Sequence, residues 1–152
     1  MKKPMIIFVI SLMILPVLLS AHCQIPCGIY DDELRISLLK EHAKTLEKSI
    51  SEIQALTTGT VKNDNQLVRW IINKDEHADM ISEIVSYYFL AQRIKEPEGT
   101  DKHAMEHYET RLKLLHKILV LSMQVKQNDD IEHVNELKKY IRKFEEEYIK
   151  KP

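Results

Sequence analysis

Turn-forming residues are scarce in this chain, and that scarcity restricts its fold more than any other feature. Its 152 residues hold three glycines, and punctuation gathers at "TTGT" (Thr57–Thr60), "EPEG" (Glu96–Gly99) and "QNDD" (Gln127–Asp130). These breaks leave four long pieces after residue 30. In the first, Asp31 or Asp32 is a candidate N-cap, and Leu39, Ala43, Leu46, Ile50 and Ile53 recur in steps of three and four. The second runs from about Asp64 to Ile94, with Leu67, Trp70, Ile71, Ala78, Ile81, Ile84, Val85 and Tyr88 on one side. Thr100 or Asp101 caps the third, which carries Met105, Tyr108, Leu112, Leu115, Leu119 and Ser122. The fourth follows Asp129-Asp130 and offers Val134, Leu137, Ile141, Phe144 and Tyr148. No alternating strand pattern, tandem repeat or low-complexity segment competes. The expectation is an all-α protein, an antiparallel four-helix bundle over residues 31–152. Residues 22–30 contain Pro26 and Gly28 and lack a helical period, so they form a hook ahead of it.

Residues 1–21 have the parts of a cleavable signal or leader. Lys2 and Lys3 give a positive start, Met5–Leu19 is almost wholly apolar, and Ser20-Ala21 ends it in small residues. The run is shorter than the roughly 20 residues a spanning helix needs, and Pro16 interrupts it, so a retained anchor is the lesser reading. Cleavage after Ala21 leaves a domain of residues 22–152 with His22 as its amino terminus, exported to a periplasmic or extracellular space. Net charge is −1 for the full chain, and loss of Lys2 and Lys3 makes it −3. A mildly acidic chain without a basic block is not built for nucleic acid, and nothing after residue 21 calls for a membrane.

Both cysteines lie in the hook, "HCQIPCGIY" (His22–Tyr30). With the leader removed, the His22 amine has a reference pKa near 7.7–8.0, low enough for a metal to displace its proton. That amine, the Cys23 backbone nitrogen and the Cys23 thiolate can close adjacent chelate rings. Pro26 and Gly28 permit a reversal that returns the Cys27 thiolate to the fourth corner. The His22 imidazole can add an axial nitrogen. A planar set of two nitrogens and two sulfurs favours nickel(II) or copper(II) over tetrahedral zinc. Its strong donors stabilise an oxidised metal, the equipment of a one-electron redox catalyst. Spacing alone favours a Cys23–Cys27 disulfide, in an exported helical bundle that binds a partner or carries metal without being an enzyme.

The hook resembles that of the nickel-containing superoxide dismutases, whose motif reads His-Cys-x-x-Pro-Cys-Gly-x-Tyr from the processed terminus. Every fixed position is present. "NQLVRWIINKDEHA" (Asn65–Ala78) and "YFLAQRIK" (Tyr88–Lys95) are similar to that family's second helix, whereas the last two helices agree in length and pattern only. The resemblance implies disproportionation of superoxide to oxygen and hydrogen peroxide, with one nickel per subunit cycling between Ni(II) and Ni(III). It implies His22, Cys23 and Cys27 as metal ligands, and Tyr30 at the mouth of the site, ordering water and limiting access. Tyr88, or its neighbour Tyr87, would support Tyr30 from the second helix. It further implies a homohexamer and a maturation protease. Three positions depart from the pattern: Gln24 replaces an aspartate, Ser37 falls where a glutamate orients the imidazole, and His77 falls near that glutamate's arginine. The leader departs too, because other members carry a short cytoplasmic propeptide.

Elsewhere, His103 and His107 share a helix face at metal-pair spacing, without the acid of a metalloprotease motif, and are expected on a solvated or lightly buried face. "DEH" (Asp75–His77) lacks a nucleophile elbow. Met80, Met105 and Met123 are expected to fill the core, and Trp70 to pack in it or between subunits. "KKYIRKFEEEYIKK" (Lys138–Lys151) is expected to form a charged outer face.

Overall fold

A computed structural model of the chain describes residues 28–60 and 62–149. The expected leader and the expected ligands His22, Cys23 and Cys27 lie outside the described residues. Four helices follow one another: α1 (Asp32–Thr58), α2 (Asp64–Glu83), α3 (Lys102–Gln127) and α4 (Ile131–Ile149). The second runs directly into a π-helical segment, Ile84–Arg93. Among the described residues there is no strand.

Each helix begins where a short polar side chain can satisfy its free N–H groups. Asp31 Oδ1 accepts from Leu34 N at 2.9 Å, and Asn63 Oδ1 from Gln66 N at 3.2 Å. Asp101 Oδ1 accepts from His103 N and Ala104 N, and Asp130 Oδ1 from Glu132 N. The first helix stops at Gly59, whose N–H returns to the Ala55 carbonyl at 3.0 Å. A Cβ there would lie 2.8 Å from that same oxygen, so the turn needs glycine for its close approach.

The helices pack antiparallel around a ring. His42 meets His77 and Ser49 meets Asn73 across α1 and α2. Lys40 pairs with Glu145 and Lys138 with Glu47 across α1 and α4. Lys126 pairs with Asp79 across α2 and α3, and His107 with Glu147 across α3 and α4. Between α1 and each of its neighbours, α2 and α4, residue numbers rise on one helix as they fall on the other. The predicted stripe of α1 is buried in full, and Ala78, Ile81, Val85, Leu115, Val134, Leu137, Ile141 and Phe144 meet it in one core. Phe89 packs edge-on against Phe144 at 4.9 Å. Burying a side chain of this size contributes about 1.5–3 kcal/mol.

Three expected core residues face outward instead: Ile71, Met80 and Met123 are 40%, 40% and 56% exposed. Buried Ala78, Ile81 and Val85 set the inward phase of the second helix, and buried Leu121, Ser122 and Val125 set that of the third. Both methionines fall between those phases. No helix among the described residues is long and apolar enough to cross a membrane.

Candidate metal centre and its supporting carboxylate

The described end of the hook is Gly28–Tyr30, which belongs to a separate unit from the bundle that starts at Asp31. Gly28 has φ 74°, in the left-handed region that glycine enters without a Cβ penalty. The residue after Cys27 thus has a backbone conformation that favours glycine. Tyr30 is 44% exposed.

The two aspartates that follow have different tasks. Asp31 caps α1, while Asp32, the first residue of the helix, turns its carboxylate onto side chains from two other elements. Tyr88 Oη donates to Asp32 Oδ1 at 2.6 Å and Tyr148 Oη to Oδ2 at 2.9 Å. Arg93 adds a bidentate pair, Nε to Oδ1 at 2.8 Å and Nη2 to Oδ2 at 2.6 Å. Burial alone would raise the Asp32 pKa, but the bonds from Arg93, Tyr88 and Tyr148 outweigh it and hold the carboxyl below its ordinary value. The same contact pushes Tyr88 up to about 12, through burial first and then through its bond to the carboxylate and the charge there.

The π segment makes this convergence possible. Tyr88 and Arg93 are five residues apart, and five α-helical steps would separate them by roughly 140° around the axis. An i→i+5 turn stacks them, as the Ile94 N–H to Phe89 carbonyl bond at 2.8 Å records. The register also distinguishes the two candidate tyrosines: Tyr88 is 3% exposed and Tyr87 54%. Arg35, one turn into α1, lies over the Tyr88 ring at 5.1 Å.

The other expected residues are dispersed. Ser37 is exposed, and His77 is bonded through Nδ1 to His42 Nδ1 at 2.9 Å, so His77 is engaged with a histidine more than a turn from Ser37. The His103 and His107 rings are tilted with centroids 4.5 Å apart, and His107 pairs with Glu147, which gives this histidine a structural partner. Among the described residues, no three or more His, Cys, Asp or Glu side chains are grouped to hold a metal.

Residues 18–151 match the family model described as nickel-containing superoxide dismutase. The chain belongs to the nickel-containing superoxide dismutase family. No curated protein and no solved structure matches it. Membership fixes the activity that the hook motif implied: this dismutase is an oxidoreductase that converts superoxide to oxygen and hydrogen peroxide, with nickel as cofactor. Nothing favours a non-enzymatic bundle. The donor chemistry fits the cofactor. Two thiols, an imidazole and chain nitrogens within six residues suit nickel, and Gly28, with its positive φ, follows the second thiol directly.

Asp32 and its partners are what sequence reasoning missed. "YDD" signals a helix start, and acids in a first turn are ordinary complements of the helix dipole. Nothing local marks one of them as the partner of an arginine 61 residues away.

Proposed function

We propose that the dismutase site is the hook itself, formed when the leader is cut after Ala21. His22 would bind nickel through its amine and its imidazole, Cys23 through its backbone nitrogen and thiolate, and Cys27 through its thiolate. What supports this reading is that the family match begins at residue 18 and so includes every fixed position of the His22–Tyr30 motif. Nickel held there would supply the one-electron redox couple that superoxide disproportionation needs. The surrounding residues would have simpler tasks. The thiolates and the deprotonated amide donate charge, which favours the oxidised state. Tyr30, with a partly exposed phenol, would order water and limit what enters. Two protons complete each peroxide, and water held by that phenol would be their source.

The finer biology belongs to the same proposal: export to a periplasmic or extracellular space, a protease that exposes His22, and assembly into homohexamers. Val68, Ile71 and Ile72 form an exposed apolar strip on α2, which suits burial between subunits. The test is the mass of the N-terminal peptide of active protein, with nickel measured on the same sample. A chain beginning at His22 with about one nickel is the expected result. Active, nickel-loaded protein that retains Ala21 would rule out the amine as a ligand.

A further inference from the structure

Asp32 is not needed to start its helix, because Asp31 already supplies the cap. Its carboxylate instead accepts four hydrogen bonds, from Tyr88, Tyr148 and twice from Arg93. Charge-assisted, bidentate contacts of this kind are the strongest and most directional a carboxylate makes. Their donors come from the π segment and from the last turns of α4, so one side chain ties the beginning of α1 to two other elements.

The clamped residue is near the hook in sequence: Asp32 follows Tyr30 by two residues and Cys27 by five. Whatever holds Asp32 holds the residue from which the hook departs. It also holds the Tyr88 hydroxyl, whose direction is set by its 2.6 Å bond to Oδ1.

We propose that Asp32 is a positioning residue for superoxide turnover, clamped by Arg93, Tyr88 and Tyr148 so that it fixes the root of the hook and the direction of the Tyr88 hydroxyl. This inference rests on the hook being the site. In this role Asp32 acts through the residues it holds. Misplacement on the order of 1 Å can lower a rate by up to about a hundredfold, so a loosened root affects turnover before it affects metal content.

The test compares Asp32→Asn, Asp32→Glu and Cys27→Ser with the wild type, all in full-length, correctly processed protein. Asparagine keeps the shape but removes the charge and one of the two accepting oxygens. For Asp32→Asn we expect nickel per chain near wild type, superoxide decay about tenfold slower, and one tyrosine whose ultraviolet titration moves from about 12 back toward 10. Asp32→Glu, which restores the carboxylate, should recover that titration and part of the rate. A purely structural role would lower the melting temperature while leaving the rate of folded protein unchanged, and that result overturns the proposal. Loss of nickel from Asp32→Asn also overturns it, since the residue would then be assembling the site. If Asp32→Asn does not fold, Asp32→Glu decides: wild-type titration with partial activity supports positioning, and full activity with a displaced titration opposes it. Cys27→Ser separates the two readings. If it keeps its nickel, the hook assignment is wrong; if it loses nickel while Asp32→Asn keeps the full rate, only the positioning role is wrong.

Discussion

Tyr88 donates its hydroxyl proton to Asp32 across 2.6 Å, and each residue holds the other in its present protonation state. The two make opposite contributions to the pH dependence of stability. The pKa of Asp32 is depressed in the fold, so its contribution is present above the ordinary value of 3.8 and is lost as pH falls through the lower folded value. Tyr88 is raised from 10 to about 12, so its contribution is complete below 10 and disappears as pH climbs toward 12. Thermal midpoints of wild type and Asp32→Asn should therefore differ by a constant amount between about pH 5 and 9 and converge at both extremes. A gap independent of pH would mean that the bond contributes nothing through charge.

Substituting Cys23→Ser or Cys27→Ser should abolish nickel binding and leave the helical circular dichroism near that of the wild type. The bundle core is drawn from residues 36–144, so the hook contributes nothing to it among the described residues. A nickel-replete single variant contradicts the thiolate assignment, whereas collapse of the fold would favour a structural disulfide.

His22→Gln divides the two tasks given to one residue. The terminal amine survives, so nickel content should stay near wild type. The imidazole does not, and turnover should fall by roughly one to two powers of ten, about 1.4–2.8 kcal/mol of barrier. Nickel per chain and superoxide decay on the same preparation check this. Full activity would eliminate the axial role, and simultaneous loss of nickel would make the imidazole a structural ligand.

Lys74, 4% exposed, donates to the carbonyls of Val125 and Lys126 at 2.7 Å and of Asn128 at 3.3 Å, closing the C-terminal end of α3 from α2. Lys74→Met leaves those oxygens without their charged donor and should cost about 2–3 kcal/mol. The melting temperature should fall by roughly 5–10 °C, with specific activity at room temperature unchanged. A change in rate without a change in stability would give Lys74 a functional role that its contacts do not predict.

The four helices were legible because their ends are written in local chemistry. Asp31, Asn63, Asp101 and Asp130 cap them, and steps of three and four mark the buried stripes of α1 and α4. The hook was legible for the same reason: its ligand motif is contiguous. Long-range choices left no such trace. Residues 84–93 carry apolar side chains that suit an α-helix as well as a π-helix, and the selection is made by where Tyr88 and Arg93 must arrive. Met80 and Met123 are apolar like core residues, yet the phase of their neighbours turns them out. The resemblance pairs the positions of Ser37 and His77, whereas the fold bonds His77 to His42.

The ten-residue π segment makes residue count itself a structural parameter. Most surface positions tolerate a change of residue type, but this stretch is keyed to length. Deleting any one residue from Phe89 to Gln92 would change the number of steps between Tyr88 and Arg93 and so their relative direction about the helix axis. Arg93 would then leave Asp32, although every side chain named in this contact was still present. Insertions and deletions in this segment are therefore changes of mechanism, whereas substitutions elsewhere on the helix are changes of detail.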